Sequence, residues 1–246
     1  MALRSFLFSM LFYLASLAFS MLAMFALVLP RRAMLWMARM WSRSSLFLLR
    51  SVAGISYRVT GRENIPTGEH VIFASKHQSA WETITYQAIL GNCVFMFKRE
   101  LAFIPFFGLA MVKSGSIMVN RGATTRRGLE KLVARFGRAL ESHNVVVFPE
   151  GTRTKPGAPP AYKSGLAVIA SALKEKWIVP IALDSGRYWP KRGFMKRPGT
   201  IRVRILPAIR TGSLTRLELA ARIEAAIEGG MKDLQPAREK PGEHDS

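Results

Sequence analysis

The chain has 246 residues, enough for one domain of ordinary size with a small added element and a real core. Its 36 Lys and Arg against 16 Asp and Glu give a net charge of +20, hydrophobic residues make up 49%, and mean hydropathy is +0.13. A basic balance suits nucleic acid or an anionic membrane; the apolar content favours the membrane, and no Lys/Arg-rich low-complexity tail suggests a nucleic-acid arm. The lone cysteine, Cys93, excludes an intrachain disulfide framework and a cysteine zinc cluster, and reads as a small core residue of a cytosol-facing body.

Residues 6–29 form a run of 24 without a charge. As helix this run reaches about 36 Å, enough to cross a hydrocarbon core of about 30 Å. A cleaved signal peptide is the rival, since Arg4 precedes the run, but the run is long for such a segment and Arg31-Arg32 follow directly after Pro30. Residues 33–53 alternate apolar clusters with Arg39, Arg43 and Arg50, the pattern of an interfacial helix whose arginines snorkel to phosphates. The first 62 residues hold eight arginines, and the first acidic residue is Glu63. Such asymmetry suits anionic lipid, and arginines after Leu29 place the body on the cytoplasmic side, by one span or by a hairpin that dips in and returns.

Beyond this element the pattern predicts strands at 55–60, 71–75, 94–97, 117–119 (leading to Asn120-Arg121), 145–148, 177–183 and 200–206, the last as a half-exposed edge strand. Helices are expected at 82–90, from Thr124 or Thr125 through the stripe Leu129, Leu132, Val133, Phe136 and Leu140, and at 163–174. A final helix opens on Thr215-x-x-Glu218 and stops at Gly229-Gly230. Residues 103–112 are an apolar path shaped by Pro105 and Gly108. Strands separated by helices imply an α/β fold, a mixed sheet with helices on its faces, preceded by the membrane helix or hairpin. The expected division is 1–53 for the membrane and interfacial helices, 54–230 for the α/β domain and 231–246 for a loose polar tail.

Three polar clusters follow predicted strands, where ligands bind in open α/β sheets. In the first, Lys76-His77-Gln78-Ser79-Ala80-Trp81-Glu82, the histidine and glutamate can meet if His77 lies in a strand-to-helix turn and Glu82 in the first helical turn. Glu82 then holds one ring nitrogen as N–H and leaves the other as a base. The same stretch reads equally as a capping box, with Ser79 capping the helix and Glu82 reaching back to its amide. The second cluster is Lys98 to Glu100 and the third Glu150 to Arg153. Lys98, Arg99 and Arg153 supply positive charge suited to a phosphate, or are respectively a solvated pair and a partner for Glu150. Residues 185–199 hold Arg187, Lys191, Arg192, Lys196 and Arg197 among Tyr188, Trp189 and Phe194, a composition expected to rest on a membrane interface.

His77-x4-Glu82, Lys98-Arg99-Glu100-Leu101, Phe148-Pro149-Glu150-Gly151-Thr152-Arg153 and Val179-Pro180-Ile181 resemble, in order, the four blocks of the glycerolipid acyltransferase family, in particular its bacterial 1-acylglycerol-3-phosphate acyltransferases. The resemblance covers about residues 55–210. It implies transfer of a fatty acyl group from acyl-coenzyme A or acyl carrier protein, as co-substrate, to a lysophospholipid hydroxyl, giving phosphatidic acid in phospholipid biosynthesis. It implies His77 as general base, Lys98, Arg99 and Arg153 at the acceptor phosphate, Glu150 and Gly151 shaping that site, Thr152 among the substrate-binding residues, and Pro180 on the acyl-donor side. Glu82 stands where the family usually has aspartate, so the histidine–carboxylate geometry must differ by one methylene. No acyl-enzyme, metal or cofactor is implied, and no nucleic acid is an expected partner. The expected place is a membrane, the bacterial inner membrane, with the catalytic domain facing the cytoplasm. Another lysolipid acceptor, such as a lyso-ornithine lipid, fits the same motifs; a non-catalytic basic membrane or nucleic-acid binding protein fits the charge alone.

Overall fold

A central sheet carries strands β1 (Ile55–Thr60), β2 (Ile72–Ser75), β3 (Cys93–Lys98), β4 (Ile117–Val119), β5 (Asn144–Val147), β6 (Trp177–Leu183), β7 (Gly199–Ile205) and β8 (Ile209–Arg210) in the computed structural model. The structure describes residues 1–26, 28, 30–103, 107–119, 125–173 and 175–234. The strand order is β1-β7-β6-β2-β5-β3-β4, with β8 also on β6. β6, β2, β5, β3 and β4 run parallel, whereas β7 and β8 lie antiparallel to β6, so the sheet is mixed.

The helices are α1 (Ala2–Ala26), α2 (Arg31–Leu48, continued by a wide turn through Leu49–Ala53), α3 (Trp81–Ile89), α4 (Phe107–Lys113), α5 (Arg126–Leu140), α6 (Gly165–Ala172) and α7 (Arg216–Asp233), with short 3-10 turns at Arg62–Asn64, Arg99–Phe103 and Ser185–Arg187. Side chains alternate across each strand. Phe73, Phe95, Val146 and Ile181 therefore face Phe8, Leu49, Trp81 and Tyr86 on one side, while Ile72, Val94, Val145 and Ile178 face Phe136, Leu166, Leu219 and Ile223 on the other. Thr125 caps α5, accepting from Gly128 N at 3.2 Å; Thr124 and Asn120-Arg121 lie outside the described residues, as does Pro105.

The apolar N-terminal run folds as α1, and α2 returns beside it as a hairpin. Trp41 Nε1 donates to Ser16 Oγ at 3.0 Å, and Ala23 packs on Met34. The start of α1 belongs to the folded body. Arg4 Nε donates to the Val52 carbonyl at 2.9 Å, Lys196 N donates to Ser5 Oγ at 2.9 Å, and Phe8 is fully buried, edge-on to Trp189. Its outer face leaves Leu3, Phe6, Tyr13, Leu17 and Phe25 exposed. Phe8→Ala should remove about 3–5 kcal/mol of stability, since a buried aromatic truncated to alanine leaves an unfilled cavity. Thermal unfolding in detergent checks this; an unchanged midpoint would mean that α1 is not docked.

Two expectations fail for reasons of packing. β7 is not an edge strand; it lies between β1 and β6. Its polar side chains are satisfied within the fold: Arg202 pairs with Asp184 at 2.8 Å and Arg204 with Asp233. Gly229-Gly230 do not stop the last helix, which runs to Asp233 from a complete Thr215–Glu218 capping box. A Cβ on Gly230 would lie 2.9 Å from both Ala182 and Leu206, so the missing side chain permits close helix–sheet packing, and this overrides low propensity. Leu234 is buried as well, and residues 235–246 lie outside the described residues.

Candidate active site

β5 pairs with β2 on one side and β3 on the other, all parallel. The chain after each strand therefore emerges at one edge of the sheet, which carries His77, residues 150–153 and Lys98-Arg99. β6 pairs with β2 on its far side, which delivers Ser185 to the same edge.

Glu82 is fully buried. Its Oε1 accepts from His77 Nδ1 at 3.0 Å, Gln78 N at 2.6 Å and Ser79 N at 2.8 Å, and its Oε2 accepts from Ser185 Oγ at 2.8 Å. The Glu82 half of the capping box and the histidine–carboxylate pair are thus one feature: the Glu82 side chain closes the turn and orients the ring together, while Ala80 and not Ser79 is the N-cap of α3. Ser79 Oγ accepts from Trp81 N at 3.1 Å. With Nδ1–H facing the carboxylate, the lone pair lies on Nε2, which has no hydrogen-bond partner among the described residues. The His77 ring stacks on Phe148, with centroids 4.0 Å apart and planes at 18°.

The main chain of His77 is held by the loop after β5. His77 N donates to Glu150 Oε2 at 3.1 Å, and Thr154 N donates to the His77 carbonyl at 2.8 Å. Glu150 is buried and ion-paired to Lys76 at 2.8 Å, so its carboxylate faces the interior and not Arg153. Gly151 takes a left-handed φ of 65° in this turn, a backbone state that favours glycine.

Lys98, Arg99 and Thr152 are exposed and Arg153 is half-buried; none of the three cations has an ion-pair partner among the described residues. Lys191 joins them, donating to the Arg153 carbonyl at 2.7 Å. Pro180 is a buried interior residue of β6. From Ile178 to Ile181 on β6 the opposing chain runs from Ile209 to Ile205, one residue longer, so Pro180, which has no N–H, sits at a bulge.

Residues 185–199 divide. Lys196 does not reach outward: its Nζ donates to Ser9 Oγ at 3.1 Å and lies over the Phe8, Trp189 and Phe194 rings at 5.8, 5.5 and 5.5 Å. Phe194 and Met195 are exposed beside it. Burial lowers the Lys196 pKa from its ordinary value. Gly199 is needed because a Cβ would lie 2.3 Å from the Tyr188 ring at a φ of 147°.

Sequence reasoning missed Ser185, Phe148 as a stacking plate, and the partners of Lys76. No local signal marks Ser185, since its contact with Glu82 arises from the pairing of β6 with β2. Among the described residues no group of His, Cys, Asp and Glu is placed to hold a metal ion.

An acyltransferase family model matches residues 56–184. The chain is 36% identical to 1-acyl-sn-glycerol-3-phosphate acyltransferase of Pseudomonas aeruginosa, over 97% of this chain and 94% of that one. It is 30% identical to the human 1-acyl-sn-glycerol-3-phosphate acyltransferase alpha, over 70% of this chain and 62% of that protein. Its fold superposes on the crystal structure of the 1-acyl-sn-glycerophosphate (LPA) acyltransferase PlsC from Thermotoga maritima with a TM-score of 0.79 at 21% identity, covering 98% of this chain and 100% of that one. With a strand-end histidine and carboxylate inside the matched region, the chain is an enzyme that belongs to the acyltransferase family.

Proposed function

We propose that this enzyme moves a fatty acyl group from acyl-coenzyme A or acyl carrier protein to the free hydroxyl of 1-acyl-sn-glycerol-3-phosphate, giving phosphatidic acid. The observation that carries the reading is His77, with Nδ1 fixed by Glu82 and Nε2 unpartnered, at the sheet edge that also presents Lys98, Arg99 and Arg153. Nε2 takes the hydroxyl proton as the oxygen attacks the thioester carbonyl. The tetrahedral intermediate collapses, the C–S bond breaks, and the imidazolium returns its proton to the leaving thiolate. Glu82 stabilises the imidazolium between these steps. The cations bind the acceptor's phosphate and so place its hydroxyl. Replacing both Lys98 and Arg153 by alanine should raise KM for lysophosphatidic acid by on the order of 10–100-fold, because a hydrogen bond to a charged group contributes about 1.5–3 kcal/mol. The test is steady-state kinetics with lysophosphatidic acid against monoacylglycerol as acceptor. A KM unaffected for the phosphate acceptor would move the phosphate elsewhere, and preference for a phosphate-free lysolipid would change the acceptor.

The hairpin is the membrane element of this reading, inserted from the cytoplasmic side without crossing. α2 runs beside α1 and carries Arg31, Arg32, Arg39 and Arg43, and a full crossing would draw these charges through hydrocarbon. A single cysteine at position 28 should stay unlabelled by an impermeant thiol reagent applied to the far face of sealed vesicles, whereas a span would expose it there. Native Cys93 is silent in this assay, because it is buried and burial pushes its thiol up to about 12.

A further inference from the structure

Behind the His77 turn lies a charge cluster that the reaction does not use directly. Lys76 and His77 are successive residues, and their side chains leave the strand end on opposite sides. His77 meets Glu82 at the start of α3, while Lys76 runs toward α7 and is only 3% exposed. The Lys76 ammonium lies 2.8 Å from Glu150 Oε1 and 2.7 Å from Glu228 Oε1. Tyr162 OH donates to the same Glu228 oxygen at 2.7 Å, and its ring lies 5.3 Å from Lys76 Nζ. Glu150 in turn accepts from Thr154 Oγ1 at 3.0 Å and from His77 N at 3.1 Å. Four separated stretches of chain thus meet on one ammonium: the turn after β2, the loop after β5, the segment before α6, and the C-terminal part of α7.

Burial alone would lower the Lys76 pKa, but the hydrogen bonds and charges of Glu150 and Glu228 more than reverse this and raise it. Burial, then Glu228, raises the Tyr162 phenol. The cluster therefore holds Lys76 as an ammonium between Glu150 and Glu228. Removing one member of such a cluster leaves an uncompensated buried charge, which the surroundings relieve by moving. Without the ammonium the carboxylate left uncompensated in the interior is Glu150, which is fully buried where Glu228 is a quarter exposed, and Glu150 holds the His77 amide.

We infer that Lys76 and Glu228 are positioning residues for His77: through Glu150 they fix the main chain from which the ring projects, and they lock it to the C-terminal helix. This rests on His77 acting as the base. It also assigns Glu150 to holding the turn, not to touching the acceptor. A pure stability role would leave kcat of the folded fraction unchanged, whereas a displaced ring lowers it, because a shift of about 1 Å at a reacting group costs up to about 10²-fold.

The test compares wild type with Lys76→Met, Lys76→Arg, Glu228→Gln and His77→Ala, purified in detergent and matched for folded fraction by thermal unfolding and gel filtration. For the folded fraction we expect kcat to fall about 10–100-fold in Lys76→Met. KM for acceptor and donor should stay within about 2-fold, and Lys76→Arg should recover part of the loss because it keeps the charge. Glu228→Gln, which keeps the Tyr162 hydrogen bond and removes one charge, should show a smaller kcat loss of about 3–10-fold, and it preserves the test if Lys76→Met does not fold. Wild-type kcat in folded Lys76→Met or, failing that, in Glu228→Gln overturns the inference while inactive His77→Ala leaves the catalytic reading standing. A rise confined to acceptor KM also overturns it and returns Glu150 to the acceptor site. Full activity in His77→Ala would instead remove the catalytic reading itself.

Discussion

His77→Ala should lower kcat by about 10²–10⁴-fold and leave the protein folded, since base catalysis of an alcohol's attack on a thioester contributes that much. The local structure survives the change. Glu82 keeps the Gln78 and Ser79 amides and the Ser185 hydroxyl, and Glu150 still accepts from the main-chain amide of residue 77. What is lost is the ring whose Nδ1 Glu82 holds and whose Nε2 has no partner among the described residues. Steady-state kinetics on lysophosphatidic acid with acyl-coenzyme A, alongside circular dichroism, makes the comparison. Wild-type turnover in the folded variant would remove His77 from the chemistry.

The second large effect falls on Glu82, and two substitutions separate its duties. Glu82→Gln keeps an acceptor oxygen for the turn amides, and the Ser185 hydroxyl can rotate to accept from the new amide nitrogen. The fold should hold within about 1–2 kcal/mol, while loss of the charge that balances the imidazolium should lower kcat by on the order of 10²–10³-fold. Glu82→Ala strands His77 Nδ1–H, two main-chain N–H groups and the Ser185 hydroxyl in a buried space. Each unpaired group costs about 1–3 kcal/mol, so this variant should lose both activity and much of its stability. Thermal unfolding and kcat read together decide it. Equal stability loss in both variants would mean that the carboxylate's charge, not its geometry, holds the turn.

The architecture was readable because strand and helix periods are local. The β-branched run before Phe148, the apolar stripe of α5 and the Thr215 capping box each announce one element. That the three polar clusters leave the sheet on one edge was readable too, because they follow parallel strands. The contacts that build the site are a different matter. Ser185 and Glu82 are 103 residues apart, and Lys76 and Glu228 are 152 apart. Only the sheet order and the docking of α7 bring them together. Glu82 shows a third case. Turn closure and histidine pairing look like alternatives in sequence because each is a short local pattern, yet one carboxylate oxygen, Glu82 Oε1, accepts from both the ring and the turn amides. β7 and Gly229-Gly230 mislead in the opposite direction. Alternation looks the same on an edge strand as on an inner strand whose arginines find Asp184 and Asp233, and a glycine pair that ends an isolated helix also lets a packed one approach its sheet.

The cationic face beside the His77 turn is the least local feature. Lys191 comes from a segment whose basic and aromatic composition points to a membrane surface, yet it donates to the Arg153 carbonyl, and Lys196 of the same segment is caged by α1. The segment links the N-terminal helix to the edge of the site, and composition alone does not separate those two attachments.

The most direct test of the account is product formation by the purified protein given lysophosphatidic acid and a labelled acyl-coenzyme A, then acyl carrier protein, with monoacylglycerol as the phosphate-free control. The account predicts labelled phosphatidic acid from at least one donor, saturable in lysophosphatidic acid, and little transfer to monoacylglycerol. No phosphatidic acid from either donor, or transfer to monoacylglycerol at an equal rate, would contradict it.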